Sequence, residues 1–361
     1  MGFTRHPSTE VSVNPTLLLL TLPMVLIAIG VRVFLHQTIT WLEAAGQLLI
    51  GVIVVGVVWG ISTYSLTADT ETLNGYVTGK ARNEVSCSHS YRCNCYTTCS
   101  GSGKTRSCSE HCSTCYDHSY DVDWDVGSTV GGFTIARVDR QGLSEPARWS
   151  HVQTGDPVAV PHGYTNYVKG APDSLFHVIG DFKGTLPEYP GFYDYQFSDR
   201  VIGAPRDAAL WNRNLALSLR TLGAEKQVNF VIVISDQPKR FAEALRSKWL
   251  GGKKNDIIVV VGAKHYPTID WVEVFSWSKL DIVNVSLRQD LLESRSLDPV
   301  RTIDIIARNA RAHYVRRPMS DFEYLKDDVK PSAWVLVLAL ILGTAASAGA
   351  AYIFHRNGVN P

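Results

Sequence analysis

The sequence predicts an α+β membrane protein, and three observations carry that expectation. Three long apolar runs lie toward the two ends of the chain, all seven cysteines fall between Cys87 and Cys115, and the second half alternates helical stripes with apolar β-branched runs. The expected architecture is three transmembrane helices, a Cys-rich zinc-binding segment, a β-rich layer and an α/β sandwich with a mixed sheet. The boundaries read as a tail over 1–15, a transmembrane hairpin over 16–64, a linker over 65–86 and the metal-binding segment over 87–118. The β-rich layer then covers 119–204, the α/β domain 205–331, the third transmembrane helix 332–354 and a tail 355–361. A net charge of +1 over 361 residues gives no field to gather a polyanion, which argues against nucleic acid as a partner.

The first apolar run, Thr16 to Leu35, carries one charge, Arg32, near its end. It lacks the basic start and small-residue cleavage site of a signal peptide, so it is read as a span. The second run, Gly46 to Tyr64, has no charge, and the third, Ala333 to Phe354, is followed by His355 and Arg356. Gly56 and Gly60 form a GxxxG pair, and Gly343, Ser347 and Ala351 repeat a small residue every fourth position, a spacing that lets helices approach closely. The chain is therefore expected in a lipid bilayer as an integral membrane protein. Charge leaves its orientation open, because Arg5, Lys326 and Lys330 on one side nearly balance Arg32 and Arg356 on the other. Apart from Arg32 the spans show no polar groups of the kind a transporter needs.

Ser65 to Val85 is polar and threonine-rich and reads as a linker or one entering strand. The next segment holds Cys87, Cys93, Cys95, Cys99, Cys108, Cys112 and Cys115, interleaved with His89, His111 and His118. Tetrahedral zinc takes four thiolate or imidazole ligands, and short Cys spacings supply them from tight turns. Seven thiolates and one imidazole make two full sets, so two structural zinc ions are expected. One set would draw on Cys93, Cys95 and Cys99 and the other on Cys108, Cys112 and Cys115, with Cys87 and a histidine completing them, or the sets would interleave. A disulfide knot, natural in an oxidising compartment, and an iron–sulfur cluster are the alternatives. The Gly103-Lys104-Thr105 stretch is not a nucleotide loop: a phosphate cradle needs glycine where Thr98 stands, and no strand precedes it.

Beyond the cysteines, Tyr120, Val122, Trp124 and Val126 alternate as a strand, which puts Asp121, Asp123 and Asp125 on the opposite face, read as solvated. Phe133 and Ile135 continue the pattern after a Gly-Gly turn. Ser144 to Gly203, rich in Pro, Gly and Tyr, reads as an ordered loop-rich β layer. From Pro205 onward, Ala208, Trp211, Leu215, Leu219 and Leu222 mark a helix stopped by Gly223. "VNFVIVIS" (228–235) and "DIIVVVG" (256–262) read as strands buried on both faces, separated by a helix with Phe241, Leu245 and Trp249 on one stripe. Ile269 to Trp277 and Asp281 to Leu287 add further strand signal, and Asp298-Pro299 caps a last helix.

Residues 205–314, with the strand "VNFVIVIS", the helix ending at Trp249, the turn "LGGKKND" and the strand "IIVVV", resemble the TPM domain family of small α/β domains on membrane-anchored proteins. The chain departs from the family pattern at Asn255-Asp256 and at "SWSKLD", where glycine-containing turns are usual. The resemblance implies the fold, and for some members a phosphatase activity or calcium binding through acidic residues. The layout as a whole also resembles uncharacterised membrane proteins of tailed phages.

No His-Glu-x-x-His, Gly-x-Ser-x-Gly or dinucleotide fingerprint is present. His162, His177 and His265 have no evident partners, and Arg308, Arg311, Arg316 and Arg317 read as a solvated face or a contact with anionic lipid. The functional expectation is a non-enzymatic, zinc-stabilised membrane scaffold or interaction module that binds a protein partner or its own copies. The alternative is a tethered phosphate-ester hydrolase of the TPM type, which needs acidic residues converging around Asp236, Asp256 and Asp281.

Overall fold

The computed structural model describes residues 15–34, 39–101, 103, 106–176, 182, 184–191, 199–204 and 207–357. The outermost tails, Leu35, His177, and Lys104 and Thr105 of the glycine-rich tip lie outside the described residues. In chain order the first elements are α1 (Pro15–Phe34), α2 (Trp41–Thr67), β1 (Ala68–Val85), β2 (Ser90–Ser100), β3 (Ser107–Tyr116), β4 (Asp121–Ser128) and β5 (Phe133–Ile135). Then come α3 (Ala147–His151), β6 (Pro157–Thr165), α4 (Tyr167–Gly170), β7 (Val201–Ile202), α5 (Ala208–Lys226), β8 (Asn229–Ser235) and α6 (Arg240–Lys248). The last are β9 (Asp256–Gly262), β10 (Trp271–Ser276), α7 (Ile282–Ser294), α8 (Pro299–His313) and α9 (Ala333–Asn357). Two compact units result: residues 1–69, 163–178 and 318–361 form one, and residues 70–162 and 179–317 the other.

In the first unit, α2 and α9 are long and apolar enough to cross a membrane. At 1.5 Å per residue, the 27 residues of α2 span about 40 Å, more than the roughly 30 Å of a hydrocarbon core. A capping box starts α2: Thr40 Oγ1 accepts from the Glu43 N–H at 3.3 Å, while Glu43 Oε2 accepts from the Thr40 N–H at 2.7 Å. The close approach lies at Gly51 and Gly343. A Cβ on Gly51 would come within 2.9 Å of Met24 Sδ and 3.1 Å of the Gly343 carbonyl oxygen, so the α2 and α9 backbones touch with α1 laid over them. Gly56 and Gly60, the predicted seam, face open space. They lie five and nine residues past Gly51, about 140° and 180° around the helix, which turns them away from the contact. The small-residue repeat on α9 does face inward, with Ser347 and Ala351 buried.

In the second unit, β1, expected as a linker or one strand, is an 18-residue strand inside a sheet of order β5-β4-β1-β6. It pairs antiparallel with β4 from Val77↔Ser128 to Val85↔Asp121. The inward alternation of Val122, Trp124 and Val126 closes on Val77, Ile135, Val152 and Val158.

The other large sheet has order β10-β9-β8-β7, with β7, β8 and β9 parallel and β10 antiparallel, the mixed sheet expected. Phe230, Ile232, Ile257, Val259 and Val261 pack on one face with Leu215 and Leu219 of α5, Leu287 of α7 and Ile306 of α8. Val231, Val233, Ile258 and Val260 meet Phe241 and Leu245 of α6, with Trp249, on the other. Burial on both faces explains why these strands read as unbroken apolar runs. Asp281 to Leu287, expected as a strand, is the start of α7. Val283, Leu287 and Leu291 form a buried stripe at four-residue spacing, and packing of that stripe overrides the β-branched bias of the first turn.

Candidate functional site

The cysteine segment folds as an isolated two-stranded hairpin, β2 with β3, laddered by three disulfides: Cys93–Cys115, Cys95–Cys112 and Cys99–Cys108. Cys99 and Cys108 are direct partners in the register, which slips between Cys93 and Tyr96, where Asn94 takes a left-handed φ of 48°. The strands are almost wholly exposed and carry no large aliphatic side chain, so the cross-links take the place of a core. Along this arm Tyr91, Tyr96 and Tyr116 stand open to solvent, and Tyr96 stacks on His111 with ring centroids 5.5 Å apart. Arg92 pairs with Glu110 across the strands at 3.0 Å.

This pairing argues against the two-zinc arrangement, because the metal ligand is a thiolate and six of the seven sulfurs are bridged. His111 lies exposed on the arm, away from the other two predicted histidines. The signal for the ladder was in the spacing: Cys93, Cys95 and Cys99 are mirrored by Cys108, Cys112 and Cys115 about a glycine-serine tip, the pattern of cross-strand partners.

At the foot of the arm Cys87 is unbridged and buried, its Sγ 3.7 Å from His118 Nδ1. That nitrogen is also 3.2 Å from Asp121 Oδ1. The other oxygen of Asp121 accepts from the Ser88 N–H and Oγ, both at 2.9 Å, and from Arg137 at 2.6 Å. The Ser88 N–H first, then the Ser88 hydroxyl and Arg137, outweigh burial and hold the Asp121 carboxyl well below the usual carboxylate range. Arg137 also binds Asp123, and Asp125 accepts from Asn83 and Thr134. The aspartate face expected to be solvated is therefore an ion-paired, hydrogen-bonded one.

A second polar cluster forms where β1 meets the α/β layer. The Glu71 carboxylate is wholly buried, and its Oε1 lies 2.6 Å from Arg316, 3.0 Å from His162 Nδ1 and 3.1 Å from Lys254. Asn74 donates to the Val228 carbonyl at 3.1 Å and accepts from Arg200 at 2.6 Å. Gly223 of α5 packs directly on Asn74, leaving no room for a Cβ there. Asp256 accepts from Asn229, the Lys253 N–H and Tyr189, yet burial pushes its carboxyl up. The predicted basic cluster divides: Arg308 and Arg311 stay exposed, in surface pairs with Asp304 and Glu225, while Arg316 turns in to Glu71 and Arg317 donates to the Ser278 carbonyl.

Asp236 and Asp256, two of the three aspartates expected to converge, lie at opposite ends of the parallel strands β8 and β9. Asp256 begins β9, while Asp236 follows the far end of the parallel strand β8, about 20 Å away at 3.3 Å per residue. Asp281 is exposed ahead of α7. No family model, curated protein or solved structure matches the chain.

Proposed function

We propose that the chain is a non-enzymatic integral membrane protein that offers the disulfide-laddered arm to a protein partner. The helices α1, α2 and α9 serve as three spans, and the α/β layer is a TPM-like platform for the arm. The observation that carries this reading is the arm itself: a covalently stiffened, exposed hairpin bearing Tyr91, Tyr96 and Tyr116. Tyrosines on a stiff backbone present large amphipathic area and lose little conformational entropy on binding. Three bridges also fit an oxidising compartment. The soluble unit lies between α2 and α9 in sequence, so the arm and the α/β layer share that side of the membrane.

A photo-crosslinking aromatic residue in place of Tyr96 or Tyr116, in the full chain in its native membrane, tests this. Protein adducts of discrete mass at both positions, and none from Leu210, an exposed residue on α5, are expected. Peptide mapping of the adduct separates self-association from another protein. Lipid adducts alone, or equal labelling from Leu210, would remove the arm as the binding element.

A further inference from the structure

We propose that Cys87, His89, His118 and Asp121 form a mononuclear site for a zinc-class divalent ion at the foot of the arm. The ligand atoms of Cys87, His89 and Asp121 all lie within 4.8 Å of one another. His118 Nδ1 touches two of them, at 3.7 Å from Cys87 Sγ and 3.2 Å from Asp121 Oδ1. Ligands at 2.0–2.3 Å from a tetrahedral zinc sit about 3.3–3.8 Å apart; the two His118 distances lie at that range, and Cys87, His89 and Asp121 would draw together from within 4.8 Å to close on one ion. The donor set, one thiolate, two imidazoles and one carboxylate, matches zinc chemistry.

The chain supplies the ligands economically. Cys87 and His89 come from the β1–β2 connection, His118 from the β3–β4 connection and Asp121 from the first position of β4, where the pair Val85↔Asp121 ends the β1–β4 ladder. The Asp117 N–H donates to the His89 carbonyl at 3.1 Å, which ties the two connections together. Asp121 is held in place from behind: Ser88 and Arg137 occupy Oδ2 and leave Oδ1 turned toward His118. Such outer-sphere hydrogen bonds are what fix a carboxylate ligand.

The competing assignment is a cysteine nucleophile with a His-Asp pair, and the geometry disfavours it. One nitrogen, His118 Nδ1, faces both the sulfur and the carboxylate, whereas a base oriented by a carboxylate uses its two nitrogens for the two tasks. Cys87 is also only 6% exposed, which suits a ligand better than a group that must meet a substrate. The site uses the thiol the disulfide ladder leaves over, so it needs neither the partner nor the membrane reading above.

The test uses the full detergent-solubilised chain, never reduced, stripped with chelator and titrated with Co²⁺ and then Zn²⁺. One equivalent of Co²⁺ with a thiolate-to-cobalt charge-transfer band, displaced by Zn²⁺, is expected. Cys87→Ser should abolish the band, His118→Gln and Asp121→Asn should weaken binding by at least about tenfold, and His111→Gln on the arm should leave it unchanged. Should a variant misfold, the wild-type chain still decides: Zn²⁺ alone should slow alkylation of Cys87 by at least about tenfold. Absence of stoichiometric binding, a band that survives Cys87→Ser, or alkylation indifferent to Zn²⁺ would overturn the site.

Discussion

The β2–β3 arm and the β8–β9 pair are both two neighbouring strands of one chain, held by opposite means. In β8 and β9 every position except Ser235 is buried, and the strands stay together because helices cover both faces. In the arm nearly every position is exposed, and covalent bridges hold the backbone that apolar burial does not. The contrast teaches that one chain can hold neighbouring strands either by burial on both faces or, where burial is missing, by covalent bridges. The sheet's fold rests on its buried side chains, while the arm's backbone rests on its six bridged cysteines.

The comparison breaks most visibly on the sheet side. Phe230→Ala removes a fully buried ring between β8 and its covering helices and should cost about 3–5 kcal/mol, read by denaturant unfolding of the full chain, with the arm's bridges intact. Replacing both Cys95 and Cys112 by Ala opens a bridge of sequence separation 17 and should cost about 3 kcal/mol confined to the arm. Hydrogen exchange should quicken in β2 and β3 and stay unchanged in β8 and β9. Faster exchange in β9 would mean that the two regions are not independent.

A smaller effect is expected in the unit that holds α1, α2 and α9. Gln47 is fully buried in α2, and neither polar atom of its side chain has a hydrogen-bond partner among the described residues. Gln47→Leu should therefore raise thermal stability in detergent by about 1 kcal/mol, and a loss would point to a role for the amide within the bundle.

The smallest effect sits in the loop after β5. Asp139 accepts from the N–H groups of Gly142, Leu143 and Ser144, and the Ser144 hydrogen bond above all lowers its carboxyl from 3.8 to about 2. The native state thus favours the ionised form. The contribution is present above the unfolded value and is lost as pH falls from about 4 to about 2. Asp139→Asn should flatten the stability profile over that interval while lowering stability at neutral pH, measured by thermal melts across pH.

The strands β8 and β9 and the helices α5, α6 and α8 were legible because burial writes continuous runs or helical stripes into the sequence. β1 was less so: its interior positions include Glu71 and Asn74, whose partners Lys254, Arg316, Val228 and Arg200 come from far along the chain. Helix α7 misled because its first turn is β-branched, and only Leu291, beyond the window read as a strand, completes its stripe. The cysteine cluster was legible, but two zinc sets were expected where six of the cysteines pair as disulfides, the alternative that the same spacing allowed. Spacing counts ligands or partners equally well, and redox state is set by compartment rather than by sequence. The foot of the arm combined both difficulties, since Asp121 was read with its strand neighbours rather than with Cys87 and His118.

The central claim is that six cysteines form the ladder and Cys87 stands apart. Disulfide mapping by mass spectrometry, on the chain extracted from its native membrane with free thiols alkylated at once, tests it most directly. Three linked pairs are expected, Cys93–Cys115, Cys95–Cys112 and Cys99–Cys108, with one alkylated thiol at Cys87 appearing only on denaturation. Seven alkylated cysteines accompanied by about two zinc ions per chain would contradict it, and would return the segment to a metal-built module.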